Sequence, residues 1–161
     1  MSRLLNLQRN VIRDAYDGLA RVPGGKRIFS RLVGVLAPYT ATIGAQVLDV
    51  RIGFARVRLA DRRAVRNHLD CVHAIALANL AELTGNLALS YSMPDDARFI
   101  VAGMSIEYLK KARGEIIGEC ECTVPETSDE REYPTAVNLK NAAGEVVTTA
   151  VLKTLVGPKP R

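Results

Sequence analysis

Between Asn67 and Glu82 the chain gathers the side chains best suited to acid–base and carbonyl chemistry. The stretch holds both histidines, His68 and His73, together with Asn67, Asp70, Asn79 and Glu82, set in a run of Ala, Leu, Ile and Val. Glu82 carries the most chemical meaning. An ionised carboxylate among apolar neighbours is costly unless it is paired, shifted in pKa or open to a cavity. Two readings follow: a catalytic carboxylate acting as base or nucleophile, or a structural buried acid bonded to nearby backbone. The histidines have no third ligand at a suitable spacing, so no metal is expected; a His at the start of a helix is more often a cap.

Residues 71–90 form the one long apolar helix expected. At 100° per residue, Asn79, Glu82 and Asn86 fall within a sector about sixty degrees wide. The other directions are almost wholly apolar, so the helix is expected to be enclosed by protein. Period-two alternation predicts a hairpin with strands near 44–52 and 54–60, turning at Gly53. Asp61 to Asp70 is polar and loop-like. Four further strands are expected near 99–109, 114–124, 132–140 and 145–156, the first with Ala102, Met104, Ile106 and Tyr108 on one face. One long helix and about six mostly antiparallel strands indicate α+β, a curved sheet wrapping the helix.

Upstream, Leu4, Leu7, Val11, Ile12, Ala15 and Leu19 recur at helical spacing over residues 3–20. A second short helix, marked by Ile28, Phe29, Leu32, Val33 and Leu36, should stop before Pro38. The first forty residues hold seven Lys or Arg against two Asp, which accounts for the whole net charge of +5. The basic pI therefore belongs to residues 1–40, read as a helical extension ahead of a main domain at 41–157 and a tail at 158–161. The helix pair either packs on the body with a solvated basic side or meets a membrane surface or nucleic acid. The first is expected, with no nucleic-acid partner.

The 161 residues suit one hydrophobic core, filled by aliphatic side chains because tryptophan is absent. No apolar run is long enough to span a membrane. The N-terminus mixes charge with leucine, unlike a secretory signal, and a cytoplasmic location is expected. Cys71, Cys120 and Cys122 are read as small core side chains. On a strand, Cys120 and Cys122 share a face with Ile116 and Gly118.

The Asn67…His73-Ala74…Glu82 arrangement, with separations of six and nine residues, resembles the helix-start motif of hotdog-fold acyl-CoA thioesterases of the phenylacetate-pathway type. Asn-His at 67–68 and Ala-Glu at 81–82 resemble still more closely a poorly characterised hotdog family described as a domain of unknown function. The resemblance covers about residues 40–156. It implies a curved sheet around one helix, acting as a homodimer or as a homotetramer made of two such dimers. It implies hydrolysis of an acyl-CoA or other acyl thioester, with no cofactor beyond the coenzyme A of the substrate. Glu82 would activate water or attack the carbonyl. The backbone N–H of Ala74, with that of Ile75, would form an oxyanion hole. His73 would sit at the helix start, and Asn67 would orient the water or thioester. Asn79 and Asn86 would hold the carboxylate or line the acyl pocket. Ala74-Ile75 stand where that family has Gly-Gly, so Ile75 narrows the channel. Two basic groups are candidates for the coenzyme A phosphates: Arg66 with Arg62 and Arg63, and Lys110, Lys111 and Arg113. The alternative is a hotdog protein that binds acyl-CoA or fatty-acyl groups without catalysis.

Overall fold

The computed structural model describes residues 9–160. Helix α1 (Val11–Ala20) begins after Asn10, whose Oδ1 accepts the Arg13 N–H at 3.0 Å. The helix expected over 3–20 is present from Val11; its residues 3–8 lie outside the described residues. Helix α2 (Gly25–Leu36) follows the Pro23-Gly24 break, with Gly24 in the left-handed region at φ 76°. It ends before Pro38, as the sequence predicts. A further short helix, α3 (Pro38–Ala41), then starts on that proline. Proline breaks a preceding helix but suits the first position of a new one, and the sequence reading used only the first property.

Strands β1 (Gln46–Arg51) and β2 (Phe54–Leu59) form the expected hairpin. Gly53 turns it at φ 73°. A 3₁₀ turn at Arg63–Val65 leads into the long helix α4 (Ala74–Ser92). Then come β3 (Ala97–Tyr108), β4 (Ile116–Glu121), β5 (Arg131–Lys140) and β6 (Val146–Pro158). The six strands make one antiparallel sheet in the order β1-β2-β4-β5-β6-β3. None of the described helices is long and apolar enough to cross a membrane.

Burial alternates along β4 and β5, so one sheet face packs on α4 and the other meets solvent. The helix lies unusually close at two glycines. A Cβ on Gly118 would stand 2.5 Å from Thr84 Oγ1, and one on Gly85 would meet Leu152, Val137 and Thr135. Leu59, Leu80, Ile116, Leu139 and Val147 are fully buried between the layers. Tyr16, Phe29 and Val33 belong to the same core, so α1 and α2 close over the helix rather than standing apart from it. Tyr16 joins them by edge-on ring contacts to Phe29 at 5.0 Å and Tyr91 at 5.9 Å.

Strand β3 carries a bulge between Val101 and Gly103. Before it, Phe99 and Val101 pair with Val156 and Thr154; after it, Met104, Ile106 and Tyr108 pair with Leu152, Ala150 and Thr148. All five partners are buried. The extra residue thus keeps an odd set and an even set on the face toward α4. This corrects the expected run of Ala102, Met104, Ile106 and Tyr108, because Ala102 falls in the bulge. At twelve residues, β3 is also a long edge strand whose outer hydrogen-bonding groups meet no neighbouring strand among the described residues.

Candidate functional site

The loop before α4 is built by Asn67. Its N–H donates to Cys71 O at 2.9 Å, and its Oδ1 accepts the N–H of Leu69 at 2.9 Å and of Cys71 at 3.4 Å. Asp70 takes a left-handed φ of 54° to close this turn. The Asn67 side-chain oxygen thus shapes the loop that launches the helix. Arg66 shapes it too. Its guanidinium bonds Asp61 at 2.6 Å and Asp70 at 2.9 Å. The Arg66 bond holds the Asp61 carboxyl below the usual carboxylate range. Arg66 thus ties Asp61 and Asp70 together within the loop.

His73 caps α4, with Nδ1 accepting the Ile75 N–H at 3.0 Å. That bond requires the tautomer with its proton on Nε2. It also removes the Ile75 N–H from the expected oxyanion pair. The Ala74 N–H makes no hydrogen bond among the described residues. It stands at the positive end of a nineteen-residue helix. Val72 N–H donates to Ala112 O at 2.8 Å, which brings the turn holding Lys111 and Arg113 against the helix start. Both side chains are exposed, whereas Lys110 is paired with Glu145 at 2.7 Å. Tyr108 on β3 donates to Ala74 O at 3.0 Å, and burial raises the pKa of its hydroxyl.

Glu82 is exposed, contrary to the expectation of a buried carboxylate. The helical wheel locates a polar stripe but not what covers it. The sheet and the N-terminal helices enclose α4 on most sides and leave one line bare. Along it lie Ile75, 55% exposed, half-buried Ala78, Glu82 and half-buried Asn86, at the three- and four-residue spacing of one helix face. Met104 and Tyr108, on the sheet face toward α4, remain 40% and 46% exposed. The described residues therefore leave this trench unfilled.

The trench has a recess near each end. By the helix start, Tyr39, Arg66, His73, Ile75 and Asn79 help to line a pocket of about 220 Å³. Asn79 is buried and donates to Tyr39 O at 3.3 Å, fastening α3 to α4. Further along, Asn86 lines a larger cavity of about 320 Å³. Of the stripe expected from the sequence, Glu82 and Asn86 lie on the bare line, whereas Asn79 is buried beside it. The sequence reading missed Tyr108 and Tyr39, which reach the helix from distant segments and carry no local signal.

Ala74 and Glu82 are eight residues apart, which is about 12 Å along the axis at 1.5 Å per residue. A carbonyl held by the Ala74 N–H is out of reach of Glu82 in the same chain. The two groups can act on one carbonyl only if two chains contribute.

Residues 25–156 match a family described as Domain of unknown function (DUF4442). No curated protein matches the chain. A crystal structure named genomics APC5556 is 31% identical, with a TM-score of 0.77, covering 92% of this chain and 97% of that one. A Pseudomonas aeruginosa protein of unknown function, PA5026, described as a probable thioesterase, is 22% identical with a TM-score of 0.74, covering 85% and 97%. A thioesterase family protein from Silicibacter pomeroyi is 16% identical with a TM-score of 0.69, covering 80% and 96%. The last two likenesses establish the fold, which is the hotdog fold that the helix-start motif and strand order predicted.

Proposed function

The chain belongs to the family described as a domain of unknown function, DUF4442, and from that footing we propose that it is a dimeric acyl-CoA thioesterase. The observation that carries the reading is the bare stripe on α4, with an exposed Glu82 and an Ala74 N–H that has no partner among the described residues. The likeness to hotdog proteins named as thioesterases supports it.

In this reading two β3 strands pair edge to edge about a two-fold axis, which covers the open edge and the exposed Met104 and Tyr108. The two α4 helices then run antiparallel, so Glu82 of one chain faces the helix start of its partner. The Ala74 N–H and the helix dipole stabilise the oxyanion that forms at the thioester carbonyl. Glu82 takes a proton from the attacking water. The tetrahedral adduct collapses with cleavage of the C–S bond, and Glu82 returns the proton to the thiolate. Lys111 and Arg113, beside the helix start, receive phosphates of coenzyme A. Asn67 and Arg66 shape the loop that carries His73 and Ala74.

Thiol release from acyl-CoAs tests the reading, with Glu82→Gln as the control. Unchanged turnover in that variant would remove Glu82 from the mechanism. A second reading, acyl-CoA binding without hydrolysis, is favoured by the His73 bond that occupies the Ile75 N–H, leaving one oxyanion donor where the resemblance supplied two. Binding of an acyl-CoA with no thiol release would select it.

A further inference from the structure

Helices α1 and α2 form a roof over α4, and α2 turns one side outward. Its inner side carries Phe29 and Val33, both buried. Two polar ties seat it on β1: Lys26 Nζ donates to Leu48 O at 2.5 Å, and Ser30 Oγ accepts the Val47 N–H at 2.9 Å. The outward side is therefore held in place. The sequence predicts that side to be solvated and basic. The structure exposes Arg27 and Arg31 there, but also Ile28, Leu32 and Val35, with Ile28 51% and Val35 64% exposed.

At 100° per residue the three apolar side chains fall within a strip about 60° wide, and the two arginines lie along one edge of it. The guanidinium groups of Arg27 and Arg31 make no hydrogen bond or ion pair among the described residues. No Asp or Glu occurs between Asp17 and Asp49, a stretch that also holds Arg21 and Lys26. The flanking acids are engaged: Asp14 with Arg9, Asp17 with Tyr91 and Asp49 with Arg51. A cationic edge thus borders open apolar surface with no nearby acid to quench it. Single surface hydrophobes need no explanation, but three on one strip of a fixed helix beside unpaired cations mark an interaction face.

We propose that this face of α2 docks the protein on an anionic phospholipid surface. Ile28, Leu32 and Val35 enter the boundary between headgroups and acyl chains, while Arg27 and Arg31 meet lipid phosphates. The occupant follows from the charge. A second copy seated here about a two-fold axis would bring two pairs of arginines together with no acid to receive them. Duplex nucleic acid would use the arginines and leave the apolar strip in water. A bilayer with acidic headgroups satisfies both halves. The inference concerns the outside of the fold and is independent of the thioesterase reading.

The test is sedimentation of the full-length protein with vesicles of phosphatidylcholine, alone or with roughly one-third phosphatidylglycerol. Partitioning should be at least tenfold stronger on the anionic vesicles and should weaken with salt, since each arginine near such a surface contributes about fivefold. Arg27→Gln with Arg31→Gln should remove most of that preference. Ile28→Gln with Val35→Gln keeps the net charge and should cut anionic binding at least tenfold. All four side chains are exposed, so urea midpoints should match the parent and separate lost docking from lost folding. Equal partitioning on the two vesicle types, no partitioning on either, or anionic binding that survives Ile28→Gln with Val35→Gln overturns the proposal. Light scattering that shows this pair splitting a larger oligomer overturns it too, making the strip a contact between copies. So does salt-sensitive binding to duplex DNA that needs the arginines and ignores the apolar pair.

Discussion

The side chain of Asn10 ends one helix and begins another: its Oδ1 accepts the Arg13 N–H at 3.0 Å, while its Nδ2 donates to Ser90 O at 2.7 Å. One residue thereby caps the start of α1 and satisfies carbonyls left open at the end of α4. Asn10→Ala removes a cap worth about 1 kcal/mol and leaves buried carbonyls without their donor. A destabilisation of about 2–3 kcal/mol is expected in urea unfolding. A loss below about 0.5 kcal/mol would show that the roof is held by the Tyr16, Phe29 and Tyr91 rings alone.

Glu82→Gln separates chemistry from folding. The carboxylate is exposed and makes no ion pair among the described residues. Its loss should change stability by no more than about 0.5 kcal/mol, while hydrolysis falls by about 10²–10⁴, the usual range for a lost general base. A large loss of stability would assign Glu82 a structural role instead.

Gly118→Ala tests the closeness of helix and sheet. The added methyl meets Thr84 Oγ1 at 2.5 Å, and that hydroxyl is already bonded to Leu80 O at 2.7 Å. Overpacking of about 1–3 kcal/mol is expected from chemical denaturation. Thr84→Ala combined with it should recover part of the loss.

The dimer edge is tested at Met104. In a two-fold interface each substitution acts twice, so Met104→Asp places two charges in one apolar patch. Light scattering on the eluting peak should report a dimer for the parent and a monomer for the variant. An unchanged dimer would move the interface away from this end of β3.

Tyr91 gives stability a sign at high pH. Burial, and then its bond to Asp17, push its hydroxyl from 10.0 up to about 12. The unfolded chain ionises this group near 10, so between these values the unfolded state sheds a proton that the folded state keeps. The contribution is complete below pH 10 and is lost as pH rises toward 12. Urea midpoints at pH 9, 10 and 11 should therefore fall less steeply in Tyr91→Phe than in the parent.

The order of the elements was legible because each announces itself locally. Alternation marks β1 and β2, a four-residue rhythm marks α2, and the apolar run from Ala74 marks α4. The candidate site was legible only as a line of residues on one helix. Whether Glu82 is covered depends on where Phe29, Val33 and the sheet come to rest, and no window of sequence contains that. The pairing of Arg66 with Asp61, five residues back, was hidden because it depends on how the 3₁₀ turn at Arg63–Val65 folds between them. Asn10 could have been found, since Asn directly before an amphipathic helix is a capping signal; its second role, eighty residues downstream, could not.

The bulge in β3 has a consequence for how this protein tolerates change. Because one surplus residue joins an odd-numbered and an even-numbered set on a single face, the strand's length parity is itself information. Removing Ala102 would take out only the residue that has no partner on β6: Val101, Gly103 and Met104 would then alternate as in a plain strand, still opposite Thr154, Lys153 and Leu152. A one-residue deletion at the bulge is therefore absorbed, whereas one further along the strand, with the bulge kept, would turn every residue beyond it onto the opposite face.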